Sequence, residues 1–352
     1  MRKIIYTLIG LALLSSSVEA AEPVSVNPIN WAQTTSALDD TFLVKKNFGR
    51  TAAEIVGVNL LVWTYDRYIR PGGGEGFRIG FNSWKENLKN GFEWDDNNFG
   101  TNQFAHPYHG NLYFNAARSN GYSFWEAIPF TFAGSWGWEY LGETHHPSMN
   151  DWIATSVGGA ALAEMLHRFS KMIPDNTITG SESSWRETGG FLVNPMGGLN
   201  RLIDGEWGKV GPNSPERFAN YYRSQVDIGF RTVGEDRIGD TDTTRVFAEF
   251  DFRYGDPFQG DINKPYDSFN LALQLNFGGE KSVIGLMRST GWLGGKILHN
   301  DENSGQLIGA FHNFDFISNY QMEIGTQSVG FGWLTRKAGV LGCELRTGVH
   351  LN

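Results

Sequence analysis

The chain has 352 residues, a formal charge of −9 and no basic run, which argues against nucleic acid as a partner because phosphate binding needs clustered cations. Its single cysteine excludes an internal disulfide, and its length allows two domains or one large barrel. The 44 glycines and 14% aromatic residues suit a β-barrel, whose strands are apolar on only one face.

The N-terminus opens with Arg2 and Lys3, an apolar run from Ile4 to about Leu14, and the small-residue site Val18-Glu19-Ala20 before Ala21. This pattern predicts a secretory signal peptide over 1–20, to be left out of the fold. No cysteine lies near the junction, so a lipoprotein anchor is not expected. Residues 21–50 read as an N-terminal extension. Beyond the leader, no uncharged apolar run reaches the roughly 18 residues of a spanning helix. A mature chain in a membrane must therefore sit there as a barrel or by surface contact.

Residues 51–204 carry a helical period. Ala52, Ile55, Val56, Leu60 and Trp63 recur at helical spacing until Pro71-Gly-Gly-Gly74 breaks the run. A second helix is predicted from Thr101 to about Arg118, stopped by Ser119-Asn-Gly121. A third spans Ser123 to about Gly142. A fourth starts at Pro147-Ser148, where Ser148 or Asn150 can cap it, and ends near Met172 before Pro174. Within it Gly158-Gly159 and Ala160-Ala161 make a face small enough for close helix approach. Asn194 to Asp204 is predicted as a short joining helix, and the whole reads as a bundle.

Residues 205–352 change period from 3.6 to 2. Seven strand candidates lie near Tyr222–Thr232, Thr244–Tyr254, Ser268–Phe277, Ser282–Leu293, Gln306–Phe316, Gln321–Trp333 and Val340–Leu351. Lengths of about ten residues match what a tilted strand needs to cross a bilayer. Bacterial single-chain barrels use an even number of strands, so either one strand is unrecognised or the chain stops before its barrel closes. A soluble β-sandwich is the competing architecture. Cys343 alternates with Leu341 and Leu345 and reads as an inert strand-face residue.

The densest polar grouping lies in the helical half. His106 and His109 are three apart and can share a helix face, where neutral imidazoles could ligate a metal or bond to neighbouring backbone and carboxylates. The packed, non-ligand account is the simpler one. Glu139 sits among aromatics in Trp136-Gly-Trp-Glu-Tyr140 and needs a partner or a proton, and Arg118 is the expected partner. Glu143…His146 and Glu164…His167 have the spacing of carboxylate-bridged di-iron bundles. Pro147 directly after His146 places that pair at a helix end, so no metal set and no cofactor are assigned. No nucleophile elbow, phosphate-binding glycine loop, HExxH or CxxC is present.

Phe92-Glu-Trp-Asp-Asp-Asn-Asn-Phe-Gly-Thr-Asn102, His106-Pro-Tyr-His-Gly110, Tyr113-Phe-Asn-Ala-Ala-Arg-Ser-Asn-Gly121, Trp138-Glu139 and Pro147-Ser-Met-Asn-Asp151 with Gly158-Gly159 resemble domain of unknown function family 3943, found in bacterial envelope proteins. The likeness runs from near Ala52 to near Arg201. It implies a secreted Gram-negative protein with helices ahead of strands, and no activity. It also implies that His106, His109, Arg118, Glu139 and Asp151 belong to the shared pattern while His145, His146 and His167 do not. Members tend to run longer after the helical part, which agrees with a barrel left open here.

The expected fold is α+β, an N-terminal helical bundle followed by antiparallel strands of an outer-membrane-type β-barrel. The expected role is a pore, gate or envelope scaffold in contact with membrane lipid and, through the helices, with a periplasmic partner protein. The expected location is the outer membrane, with the periplasm as the alternative. Two other functions stay open: an envelope hydrolase using His106 or His109 with Glu139 or Asp151, and a purely structural envelope protein. Candidate catalytic residues are His106, His109, Arg118, Glu139 and Asp151.

Overall fold

The computed structural model describes residues 44–71, 74–95, 98–217, 221–233, 243–259, 262–278, 282–319, 322–340 and 343–351, so the expected signal peptide and most of the extension lie outside the described residues. The chain divides near residue 220 into a helical unit and a stranded unit. Among the described residues no helix is long and apolar enough to cross a membrane.

In the helical unit, α1 spans Phe48–Tyr68, begun by the Asn47 side chain, which accepts from the Arg50 N–H. Its buried face carries Thr51, Ile55, Val58 and Asp66, while Val56 and Leu60 of the expected stripe are exposed. Helix α2, Phe81–Asn90, was not expected, because only Phe81, Trp84 and Leu88 break a polar run. It is held at the C-terminal end of the next helical hairpin: Asn87 Nδ2 donates to the carbonyls of Tyr140 and Glu143, and Trp84 Nε1 donates to that of Leu141.

Helix α3, His106–Ser119, grows out of a π-helical turn at Thr101–Ala105, and Pro107 sits in its first turn, where a missing N–H costs nothing. It stops at Asn120-Gly121 as the sequence predicts, with Gly121 at φ +85°. Helix α4, Phe124–Leu141, opens with a capping box in which the Ser123 N–H and hydroxyl both donate to Glu126 Oε2. The fourth expected helix is one rod in three parts: α5, Met149–Ile153, a second π turn at Ala154–Gly158, and α6, Gly159–Met172. Two further helices close the unit. The unexpected α7 spans Ser181–Val193, and α8 spans Pro195–Ile203 with Asn194 as its cap.

The contact that positions everything else is between α3 and the second π turn. A Cβ on Gly110 would fall 1.7 Å from the Thr155 carbonyl oxygen, and one on Gly159 would fall 2.6 Å from the Gly110 Cα. The two backbones therefore touch, using the small face expected around residues 158–161. Phe114 of α3 and Ala160, Leu162 and Met165 of α6 are buried, while Tyr113 and Ala116 of α3 pack with Ile55 and Val58 of α1 and Met196 of α8.

The stranded unit is one antiparallel meander in the order β1 to β7, curled into a half-barrel. The strands are β1 Tyr222–Val233, β2 Thr243–Tyr254, β3 Phe269–Phe277, β4 Ile284–Asn300, β5 Ser304–Ser318, β6 Glu323–Val340 and β7 Cys343–Leu351. Strands β4 to β6 run beyond their expected ends. Gly294 and Gly295, just past the expected end of the fourth strand, sit instead inside a paired ladder, where a Cβ on Gly309 would fall 2.2 Å from the Gly294 carbonyl oxygen and 2.7 Å from the Gly295 Cα. Among the described residues a single sheet is present, so the sandwich alternative, which needs two, does not hold.

Pairing places opposite residues on the same face. One row across five strands reads Val226, Phe250, Leu273, Met287 and Phe316, and the next reads Gln225, Asp251, Ala272, Arg288 and Asp315. One face is thus apolar and aromatic. The other is polar where Arg288 Nε donates to Asp315 at 2.8 Å and Gln274 Nε2 to Glu249 at 2.7 Å, and farther along β4 and β5 it carries a buried apolar cluster of Trp292, Leu307 and Phe311 packed with Phe258 and Ile262. On the apolar face Ile228, Phe230, Val329, Phe331 and Val349 are exposed, whereas Phe252, Leu271, Phe314 and Phe316 are buried. Cys343 pairs with Val340 at the start of β7, and its side chain lies outside the described set.

Candidate functional site

Three of the expected residues meet. His106 at the start of α3, Glu139 near the end of α4 and Asp151 in α5 offer ligand atoms all within 4.8 Å of one another, and all three are buried. The Gly110–Thr155 contact sets this juxtaposition, since it locks the first turn of α3 against the rod carrying Asp151. A π turn directly precedes His106, and another begins three residues after Asp151. Such turns recur at functional sites because they re-aim side chains that a regular helix would place elsewhere.

His106 Nε2 lies 3.4 Å from Asp151 Oδ2, and its Nδ1 lies 3.2 Å from the Thr155 hydroxyl. Burial lowers the imidazole pKa against the pull of Asp151, so the ring is neutral. Glu139 Oε2 accepts from the Ser148 N–H at 2.9 Å, while Oε1 is buried with no hydrogen-bond partner. Burial first, then the charge of Glu143, pushes the Glu139 carboxyl well above the ordinary range. Burial lifts Glu143 itself to about 7, although Trp138 Nε1 donates to it.

The loop carrying Ser148 is fixed by a strand-like bridge. Glu93 N–H donates to the Pro147 carbonyl at 2.8 Å, Met149 N–H donates to the Glu93 carbonyl at 2.8 Å, and Asp95 N–H donates to Asn150 Oδ1 at 2.9 Å. Phe92 packs on Tyr140 and Trp152, with ring centroids 5.2 Å away in each case. The motifs around residues 92–95 and 147–151, distant in sequence, therefore form one wall of the site.

The other two candidates are elsewhere. His109, one turn on from His106, donates through Nε2 to the Tyr113 hydroxyl at 2.7 Å, and that hydroxyl donates to Asn59 Oδ1. Burial and the neighbouring His106 push its pKa down to about 3, so it is a neutral core residue. Arg118 does not pair with Glu139. It grips Glu164 through two bonds of 2.7 and 3.1 Å, because twelve residues of helix put it about 18 Å along α3 from His106. The two Glu-x-x-His pairs do not converge either: Glu164 is taken by Arg118 and Arg168, and His146 lies beside Glu93 and Asn90. Sequence reasoning did not find Thr155 or the role of Glu143. Thr155 carries no motif, and its closeness to His106 arises only from the π turn.

Residues 91–196 match the family model described as Domain of unknown function (DUF3943), the family that the motifs resemble. All five candidate residues fall inside that span. No curated protein and no solved structure matches the chain.

Proposed function

We propose that the DUF3943 segment is the aqueous domain of an outer-membrane protein whose seven strands meet lipid, with the helices acting as gate, plug or scaffold for a periplasmic partner. The observation that carries this reading is the alternation of rows. Register puts the exposed Val226, Ile228, Phe230, Val329, Phe331 and Val349 on one face and Gln225, Asp251, Arg288 and Asp315 on the other, the division that lipid on one side and water on the other impose. The hydrolase reading keeps its orienting pair in His106 and Asp151. It is the weaker of the two, because those side chains are 7% and 2% exposed, too enclosed for an ester or amide to approach.

The test is fractionation of cells expressing the full chain, followed by electrophoresis of boiled and unboiled samples in detergent. The expected result is recovery with outer membranes and a mobility that shifts on heating. Recovery wholly in the soluble periplasm would refute the membrane placement.

A further inference from the structure

We propose that His106, Glu139 and Asp151 bind one divalent first-row transition-metal cation. This inference is independent of where the strands reside. Three observations converge on it. The first is donor chemistry: a neutral imidazole with two carboxylates is the mixed nitrogen and oxygen set that such cations take, whereas Ca²⁺ asks for six to eight oxygens.

The second is an open coordination position. Glu139 is only 4% exposed, its Oε2 is held by Ser148, and its Oε1 has no hydrogen-bond partner, a state that costs free energy unless something positive meets that oxygen. The third is the support behind the ligands. Thr155 engages His106 Nδ1 and leaves Nε2 facing Asp151, the arrangement that fixes a ligating histidine in one tautomer. The donor atoms span up to 4.8 Å. Ligands about 2.1 Å from a tetrahedral ion stand about 3.4 Å apart, so binding asks for a contraction of about 1.4 Å at most, within the reach of side-chain torsions. Three protein ligands leave one position for water.

The experiment is titration of the full-length chain, purified in detergent and stripped with chelator, with Zn²⁺ and with Mn²⁺, followed by calorimetry. One equivalent of Zn²⁺ is expected, unaffected by excess Mg²⁺ or Ca²⁺. Glu139→Gln, which keeps the shape and the bond from Ser148, should weaken binding at least tenfold, as should Asp151→Asn, while the surface change Glu126→Gln leaves it unaltered. Pulsed electron paramagnetic resonance of the Mn²⁺ form should show a single imidazole nitrogen that disappears in His106→Gln. Each variant is compared only if its helical circular dichroism matches the parent. If Glu139→Gln misfolds, the nitrogen signal in the parent decides alone. A parent that binds no ion, an unchanged affinity in folded Glu139→Gln, or a Mn²⁺ signal without nitrogen coupling would each overturn the assignment.

Discussion

At the scale of single residues, the helical unit holds two acids, buried Glu139 and half-buried Glu143, whose carboxyls burial pushes above the ordinary range. A carboxyl whose folded pKa is raised stabilises the fold fully below its unfolded value, about 4.5, and loses that contribution as pH rises through the folded value, about 7 for Glu143. Buried His106 and His109 act oppositely, but only below about pH 6.5, where an unfolded imidazole takes up a proton. Above that pH the acids act alone. In chelator, the helical unit should therefore lose stability between pH 6.5 and 8, by about 1 kcal/mol from Glu143 alone. Denaturant midpoints followed by helical circular dichroism check this, with Glu143→Gln expected to show the shallower decline. His106, Glu139 and Asp151 were legible in the sequence because polar residues amid aromatics demand partners. The wrong pairing of Arg118 with Glu139 came from complementarity of charge without distance. Glu164, its actual partner, was hidden by its spacing to His167.

At the scale of elements, helix starts and stops were largely legible, since caps and glycines are local signals. Ser123, Ser148 and Gly121 act where the sequence places them, whereas the Asn47 cap of α1 was not recognised. Helices α2 and α7 were not, because tertiary bonds such as those of Asn87 hold segments with little apolar periodicity of their own. The π turns were also invisible, as nothing in Thr101–Ala105 or Ala154–Gly158 marks a wider turn by composition. Close backbone contact gives the seam between α3 and the second π turn a sharp test. Gly110→Ala must push the Thr155 carbonyl away and should cost about 3 kcal/mol. Gly57→Ala meets nothing within 4 Å on α1 and should gain up to about 1 kcal/mol. Thermal melts of both variants, read by helical circular dichroism, should move in opposite directions.

At the scale of the whole molecule, all seven strands were legible because period-2 alternation survives wherever one face is apolar. Their lengths were not, since glycine signals a turn and a crowded ladder alike. The lipid reading makes the two faces unequal. Phe331→Arg, on the exposed apolar face, should cost about 2–4 kcal/mol of stability in liposomes, whereas Ser328→Arg on the polar face should be nearly neutral. Urea unfolding of the reconstituted protein measures the difference, and equal effects would count against a lipid-facing surface.

The meander also has a parity. Six successive reversals leave β1 and β7 pointing the same way, and the two do not pair with each other among the described residues. Hydrocarbon tolerates no open margin, because each unmet peptide group there costs several kcal/mol. Joining β1 directly to β7 would make a parallel seam in an otherwise antiparallel wall. Any strand that completes the ring in the antiparallel manner must run against both of them at once, so the number of strands in a finished all-antiparallel ring is even, and one more than this sheet supplies is the fewest that will do.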